Sequence, residues 1–275
     1  MKSKNLLKTA ISICLIILMC IPFCSCTNKD DIPVTDASQF KCQFSDNGET
    51  CSITAYVGTD KEVNIPEEID GHKVVAIEIG AFLNNNTLER IIIPDSVKQI
   101  WQNAFWGCKK LKEITFSDNI TFIGGRAFKD CTSLQEINLP KNLERMESET
   151  FSGCSAARKI TVPATLTTWG AGSFFGCSAV EEVVLEDGLK TIQYQAFASA
   201  KLKSITIPAS VEFIGSGAFL NSKTPIESIK FLGDAPEAEG KVFGEPNKDI
   251  TIQYKKGTKG WDSSSLAEDY TLKAY

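Results

Sequence analysis

The sequence predicts a solenoid, in which short and similar coils stack along one axis around a narrow apolar core. Three observations indicate this fold. Phenylalanine recurs every 23 residues through the middle of the chain, five further apolar positions recur in register with it, and each repeat contains one short segment of alternating apolar residues. A single repeat cannot bury its own apolar side, so successive repeats must stack and hide these rows against one another.

The phenylalanine row marks one corner of each predicted coil. Alanine often precedes the phenylalanine and a Gly-Cys pair often follows it, so the local pattern A-F-x-G-C predicts a short helical turn that glycine ends. The row consists of Phe82, Phe105, Phe128, Phe151, Phe174, Phe197, Phe219 and Phe243.

A row of cysteines follows the phenylalanines at the same interval, at Cys108, Cys131, Cys154 and Cys177. Zinc sites usually contain close pairs of cysteines, whereas these residues occur once in each coil. Cysteine is also among the residues most often buried. We therefore expect these thiols to fill the core and to bind no metal.

Each repeat also predicts one strand and one further extended segment. The strand has the pattern L-x-x-I-x-I, as at residues 88–93, and its β-branched residues favour a parallel sheet with a spacing of about 4.8 Å between coils. Proline often follows this strand, where a missing hydrogen-bond donor is tolerated. The pattern V-x-x-I, at residues 97–100 in the same repeat, predicts a second extended or turn segment.

The two ends of the repeat region have the features of caps, which a solenoid needs to shield its terminal core. Residues 39–62 alternate around a Ser-Asp-Asn-Gly turn signal and predict a hairpin cap. Cys42 and Cys51 flank that turn on one face, so a disulfide could join them. The repeats cover about residues 63–245, and residues 246–275 predict a terminal strand and cap, which makes 39–275 a single domain.

The N-terminus predicts export. Lys2, Lys4 and Lys8 precede an almost wholly apolar run at residues 10–23. This arrangement is typical of a signal peptide, and the run is shorter than the roughly 20 apolar residues of a membrane-spanning helix.

The end of the apolar run, Phe-Cys-Ser-Cys-Thr at residues 23–27, resembles a bacterial lipobox. The resemblance implies that residues 1–25 are a lipoprotein signal peptide and that Cys26 is the site of lipid attachment. Lipidation at Cys24 and a plain secretory signal are the alternatives. Residues 26–38 are polar and predict a flexible tether, which begins with a segment resembling the acidic export tag of surface lipoproteins in Bacteroides-like bacteria.

The repeat unit, approximately L-x-x-I-x-I-P-x-x-V-x-x-I-x-x-x-A-F-x-G-C, resembles the BspA-like leucine-rich repeats over about residues 63–243. The resemblance implies a right-handed leucine-rich-repeat solenoid, a β-dominated α/β superhelix with an N-terminal hairpin cap and a C-terminal strand cap. In many members of that family it also implies surface display, adhesion or the binding of host proteins. It names no ligand.

Composition and motifs exclude several functions. The net charge is −5 and the chain has no run of lysine or arginine, so we expect no nucleic-acid partner and no membrane contact except through the N-terminal lipid. The one histidine, His72, lies in a polar turn, which leaves no basis for most catalytic triads or zinc sites. The glycines at 124–125 complete no phosphate-binding motif. We predict no cofactor and no enzymatic activity.

The expected binding surface is the outward side of the predicted sheet, because the residue between two buried isoleucines points away from the core. In leucine-rich-repeat proteins this sheet is a common binding surface. The outward side chains are small or of mixed charge, and they belong to Arg90, Ile92, Glu113, Thr115, Glu136, Asn138, Lys159, Thr161, Glu182, Val184 and Thr206.

Three aromatic residues, Trp101, Trp106 and Phe175, occupy positions that are polar in the other repeats. Exposed aromatic side chains often anchor partners, although these could instead cover an edge or fill a gap. The sequence therefore predicts a cell-surface lipoprotein that binds protein or glycan partners without catalysis. The alternative is a structural or assembly lipoprotein of the cell envelope.

Overall fold

The structure, a computed structural model, describes residues 32–220 and 226–275. Within these ranges almost all regular structure is short β-strand, and its period is that of the sequence repeat. Each repeat forms one coil, which consists of a first strand, a turn, a two-residue second strand and a turn that carries the phenylalanine. In this part of the chain no helix has both the length and the apolar character needed to cross a membrane.

The described chain contains 3₁₀-helices at Ala37–Gln39 and Trp261–Ser263 and one short α-helix, α1, at Ser265–Asp269. Its strands, in chain order, are β1 (Phe40–Phe44), β2 (Thr50–Tyr56), β3 (Glu62–Asn64), β4 (Glu68–Ile69), β5 (His72–Ile77), β6 (Arg90–Ile92), β7 (Gln99–Ile100), β8 (Glu113–Thr115), β9 (Phe122–Ile123), β10 (Glu136–Asn138), β11 (Arg145–Met146), β12 (Lys159–Val162), β13 (Thr168–Trp169), β14 (Glu182–Leu185), β15 (Thr191–Ile192), β16 (Ser204–Ile207), β17 (Phe213–Ile214), β18 (Ser228–Phe231), β19 (Glu237–Ala238), β20 (Thr251–Tyr254) and β21 (Thr271–Ala274).

Two sets of strands form two sides of the solenoid, and their pairs are parallel except where β1 pairs with β2 and β4 pairs with β5. The first sheet consists of the hydrogen-bonded groups β3-β6-β8, β10-β12-β14 and β16-β18-β20-β21, and the second sheet consists of β1-β2-β5-β7-β9-β11-β13 and β15-β17-β19. Equivalent residues of successive coils lie opposite one another, as Ile160 does with Ile137 and Val183. The 23-residue period therefore sets the register of both sheets.

A column of stacked phenylalanine rings runs along the third side and confirms the solenoid. Its members are fully or almost fully buried, their ring centroids lie between 4.7 and 5.7 Å apart, and their planes differ by at most 18°. Tyr56 stacks on the first ring of the column at 5.1 Å, and Tyr270 packs edge-on against the last ring at 5.7 Å. Each end of the column is thus closed by an aromatic ring that carries a hydroxyl group.

The cysteine row is buried beside this column, as the sequence predicts. Each thiol donates a hydrogen bond to the carbonyl of a phenylalanine one coil earlier, for example Cys108 to Phe82 at 3.1 Å and Cys131 to Phe105 at 3.3 Å. Burial raises the pKa of the Cys108 thiol to about 12 and that of Cys131 well above its ordinary value. These thiols are also fully buried, so an external reagent does not reach them, and they contribute packing and hydrogen bonds.

Glycine is required at the corner after the second strand in alternate coils. A Cβ atom on Gly124 would lie 2.5 Å from the backbone nitrogen of Gln102, and one on Gly170 would lie 2.2 Å from that of Ser148. At these two positions the backbone of the preceding coil lies too close for a side chain. Coil packing therefore explains these glycines without any phosphate-binding role.

The segment at 32–38 does not form part of a flexible tether, which corrects the sequence prediction for these residues. Ile32 and Thr35 are buried. The Thr35 backbone N–H donates to the Asn64 carbonyl at 2.9 Å, and the Asn64 side-chain amide donates to the Ile32 carbonyl at 2.8 Å. The segment is therefore fastened to the outward side of β3. The remainder of the predicted tether and the signal peptide lie outside the described residues.

The hairpin β1–β2 covers the N-terminal end of the core, and the predicted disulfide is not formed in it. Cys42 and Cys51 are both free thiols. Cys42 lies opposite Ile53 and Cys51 lies opposite Phe44, so that the two cysteines are diagonal neighbours instead of a direct cross-strand pair. At the other end, Trp261 is buried against Phe231 and closes the C-terminal cap.

The adjacent residues Phe174 and Phe175 provide a test of the ring column. Phe174 is buried within it, whereas Phe175 is 44% exposed on the same turn. Replacing Phe174 by alanine should lower the free energy of unfolding by about 3–5 kcal/mol, because it leaves a cavity between two stacked rings. The Phe175→Ala control should change it by less than about 0.5 kcal/mol. Urea denaturation followed by circular dichroism measures both values, and equal effects would contradict the column as the main source of stability.

Candidate interaction surface

The outward side of the first sheet presents a continuous row of exposed side chains. Strands β10, β12, β14 and β16 alternate in burial, with Ile137, Ile160 and Ile205 pointing into the core. Their outward neighbours are exposed or half-buried and form what we call the sheet face, which consists of Glu136, Asn138, Lys159, Thr161, Glu182, Val184 and Thr206. The strand period places these seven side chains on one surface.

Parallel register aligns the sheet face in rows across the coils. Thr161 lies between Asn138 and Val184, and these three small side chains form a shallow central row. Beside it the Lys159 ammonium lies 2.7 Å from a carboxylate oxygen of Glu182, and this hydrogen-bonded partner raises the pKa of Lys159. The surface is therefore flat, mixed in charge and free of large side chains at its centre.

The N-terminal part of the predicted face is not available as a surface, which corrects the prediction for two residues. Arg90 is 8% exposed and Ile92 is 3% exposed, while Glu113 and Thr115 are half-buried. Ile92 pairs directly with Asn64, to which the segment at 32–38 is fastened. The folded-back N-terminal segment therefore occupies this end of the sheet.

Arg90 is also engaged by its own neighbour in the sheet. Its Nε lies 3.4 Å from a carboxylate oxygen of Glu113, across the boundary between β6 and β8. The Nε and Nη2 atoms are buried and donate no hydrogen bond to any described residue, so the ion pair with Glu113 lies inside the sheet and not on the exposed sheet face.

A charged flank borders the sheet face on the side where each first strand begins. Glu89 bridges Lys61 at 3.2 Å and Lys112 at 2.6 Å, which links three successive coils. Further along the same side, an open depression is lined by Lys112, Gln135, Glu136 and Arg158. Glu136 thus belongs both to the sheet face and to this depression, so the two surfaces are continuous.

The three predicted aromatic anchors lie on other sides of the solenoid. Trp101 is half-buried on the second sheet, where its ring packs against Phe122 at 5.1 Å. Trp106 is half-buried on the turn side and its indole N–H donates to Asp130 at 3.2 Å. Phe175 is exposed on that turn side, in a depression lined also by Lys129 and Glu149. The structure does not bring these residues to the sheet face or to one another.

Sequence reasoning missed further aromatic residues on the second sheet. Phe122 packs beneath the Arg145 guanidinium at 5.4 Å, and Tyr194 contacts Phe213 at 5.9 Å. Phe122 and Phe213 occupy the position just before a buried isoleucine, where other coils have glutamine, arginine or threonine. This departure from the repeat pattern is the sequence feature that could have predicted aromatic residues on the second sheet.

Comparisons with known proteins agree with this geometry. The family model described as BspA type leucine rich repeat region matches six copies over residues 60–181 and 167–268. The chain belongs to the BspA-type leucine-rich-repeat family. A search of curated proteins finds no match.

Solved structures share the fold of this leucine-rich-repeat protein. A leucine-rich-repeat protein of T. pallidum is 29% identical, with a TM-score of 0.62 over 69% of this chain and 89% of the other. A leucine-rich cell surface protein of Faecalibacterium prausnitzii is 22% identical, with a TM-score of 0.61 over 82% and 77%. A leucine-rich-repeat protein of Bacteroides ovatus is 22% identical, with a TM-score of 0.51 over 88% and 76%.

Glu149, on the turn side of the leucine-rich-repeat solenoid, is a carboxylate with a strongly lowered pKa. Hydrogen bonds from Arg126 at 3.0 Å and Lys129 at 2.5 Å lower its pKa to about 2. Glu149 has a backbone φ of 57°, in the left-handed region that favours glycine. Asn103, Arg126 and Gln195 have a similar φ at the same position of other coils, so the repeat geometry sets this backbone.

Metal binding has no candidate centre in the described chain. No group of three or more histidine, cysteine, aspartate or glutamate side chains in residues 32–220 and 226–275 is arranged to hold a metal ion. The titratable groups instead lie in the core as thiols or pair across coils as ions. Among the described residues, the arrangement can provide contact surface and charge.

Protonation of Glu149 should weaken the solenoid in acid. Its pKa of about 2 lies below the ordinary value of 4.5, so its stabilising effect is present above about pH 4.5 and is lost as the pH falls toward 2. Glu149→Gln should remove this part of the pH dependence and lower the free energy of unfolding by about 1 kcal/mol at pH 7, since the site is partly exposed. Thermal melting between pH 2 and 7 measures the effect.

Glu136→Gln is the matched control, because Glu136 is exposed on the sheet face. It should leave the acid dependence as in the unmodified protein. If Glu149→Gln also leaves it unchanged, the ion pairs around Glu149 do not stabilise the folded state.

Proposed function

We propose that this protein is an exported lipoprotein at the outer surface of the bacterial cell, where it binds a protein or glycan partner through the sheet face without catalysis. One observation carries the proposal. Strands β10, β12, β14 and β16 present seven outward side chains that do not pack in the core. Hydrogen bonds between coils and stacked rings hold their backbone rigid. A rigid surface loses little conformational entropy when a partner binds.

The size of the sheet face bounds the kind of contact that it can make. Four strands at a spacing of about 4.8 Å, each about 10 Å long, cover on the order of 200 Å². A stable protein interface typically buries about 800 Å² on each partner. We therefore infer that a protein partner also covers the charged flank, including the depression lined by Gln135 and Arg158.

The titratable groups support a role that is not catalytic. A general acid or base works best with a pKa near the working pH. The large pKa shifts in this protein move the pKa away from neutral pH. Burial raises the pKa of Cys108 and Tyr270 to about 12, and ion pairs lower the pKa of Glu149 to about 2. Groups of this kind remain in one protonation state at neutral pH.

A lipid on Cys26 would hold the solenoid close to the membrane. Cys26 itself lies outside the described residues, but Ile32 is already buried on the first coils. Residues 27–31 can span at most about 20 Å between the lipid and the docked segment.

Two threonines on different sheets provide a matched test of the binding surface. Thr161 lies at the centre of the sheet face, and Thr168 is exposed on the second sheet in the same coil. With partners identified on arrays of extracellular proteins and glycans, Thr161→Arg should weaken binding by about tenfold or more, because it places a long charged side chain in a flat contact. Thr168→Arg should leave the dissociation constant unchanged.

Surface plasmon resonance measures both constants, and circular dichroism checks that both variants fold. A loss of binding with Thr168→Arg alone would show that the partner binds the second sheet, and it would contradict the sheet face as the binding surface.

Two cysteines in the N-terminal motif allow an equally matched test of lipid attachment. Cys26→Ser should release the protein from the membrane fraction and abolish incorporation of labelled fatty acid, because serine supplies no thiol for the lipid. Cys24→Ser should retain both properties. In cells with the unmodified protein, external protease should remove the repeat domain while a periplasmic marker stays intact.

Protection of the repeat domain in intact cells would contradict surface display and would favour an assembly role inside the envelope. Retention of the label in Cys26→Ser would contradict the assignment of the lipid site.

A further inference from the structure

The N-terminal hairpin contains the only two cysteines of the described chain that lie outside the buried row. Cys42 is partly exposed and Cys51 is 1% exposed, and both face the core side of strands β1 and β2. The other four cysteines are fully buried and donate to backbone carbonyls of the preceding coil. Among the described cysteines, an external reagent therefore reacts first with those of the hairpin.

The register places the two hairpin thiols close together. Cys42 lies opposite Ile53, two residues from Cys51, and the register shifts between Lys41 and Cys42. Diagonal neighbours of this kind lie about 7–8 Å apart, and a disulfide requires Cα atoms within about 7 Å. An irregular register increases the local twist of a strand pair, so a backbone movement of about 1 Å brings the two residues within bonding range.

The electrostatics of the pair agree with this proximity. Burial raises the pKa of the Cys42 thiol to about 12, and repulsion from Cys51 contributes to the increase. The Cys51 thiol also contacts the His72 carbonyl at 3.5 Å, which orients it within the hairpin.

We propose that Cys42 and Cys51 are a redox pair that closes to an intramolecular disulfide by exchange with a small disulfide such as oxidised glutathione. The partly exposed Cys42 thiolate attacks one sulfur of that disulfide, forms a mixed disulfide and releases one glutathione thiol. The Cys51 thiolate then attacks the Cys42 sulfur and releases the second glutathione thiol. The protein loses two protons and two electrons, and the glutathione disulfide receives them as it becomes two thiols.

The position of the pair gives the bond a specific structural consequence. The hairpin covers the N-terminal end of the ring column, where Tyr56 of β2 stacks on Phe82. End units of a solenoid have a neighbour on one side only, and unfolding can begin there. A bond between β1 and β2 ties the cap together, so oxidation should raise the thermal midpoint by about 5 °C.

Peptide mapping can detect this bond directly. Lys41 and Lys61 flank the pair with no lysine or arginine between them, so trypsin releases both cysteines in one peptide. Cleavage after Glu49 then divides that peptide into two fragments, which stay together only if the disulfide is present. Folded, full-length protein is reduced, exposed to oxidised glutathione, denatured without reductant and alkylated before digestion.

The expected result is a peptide at residues 42–61 that resists alkylation, is lighter by two hydrogens and keeps its two fragments joined after cleavage at Glu49. The four cysteines of the buried row should all be alkylated as free thiols. The rate of closure should rise with pH up to the pKa of the attacking thiol, because the thiolate is the nucleophile.

The serine variants show that the readout depends on both thiols. Cys51→Ser should stop the reaction at a glutathione adduct on Cys42, since no second thiol can displace it, and Cys42→Ser should give no adduct. The proposal would be overturned if all six cysteines of the described chain are alkylated in the oxidised sample. It would also be overturned if the unmodified protein keeps a stable glutathione adduct on Cys42. This result is independent of the partner and the lipid, so it leaves the proposed function unaffected.

Discussion

Stacking between coils is the interaction on which the rest of the structure depends. Each coil is too short to enclose a core, so its phenylalanine, isoleucine and cysteine side chains are buried only by the coil before and the coil after. The rings from Phe82 to Phe243 lie one above another at close to the spacing of parallel strands. One repeat length therefore sets the packing of the core and the register of both sheets at once.

The same constraint decides where function can reside. Core positions are repeated and occupied, so differences between coils are concentrated in side chains that point outward. Successive coils then place these side chains in rows, and the rows interact through ion pairs such as those that join Glu149 to Arg126 and Lys129. A protein built in this way offers extended surfaces, and the sheet face between Glu136 and Thr206 is one of them.

The ends of the solenoid follow different rules from its middle. An end coil has a neighbour on one side only, so the chain covers it with structure that is not part of the repeat. At the N-terminus this cover consists of the hairpin β1–β2 and the segment at 32–38, and at the C-terminus it includes Trp261 and Tyr270. The N-terminal cover occupies the part of the sheet where Arg90 and Ile92 were expected to be exposed. The exposed part of the first sheet therefore begins beyond the N-terminal cover.

The sequence by itself determined the coil, its strand, its buried rows and its outward positions, because these depend on local periodicity and on contacts between equivalent residues. Tertiary structure alone decided three matters. It buried Arg90 and Ile92 in the strand next to β3, on which Ile32 and Thr35 dock. It placed Cys42 diagonally from Cys51, and it distributed Trp101, Trp106 and Phe175 over different sides. Each involves a contact outside the repeat, and a periodic pattern carries no information about contacts that occur only once.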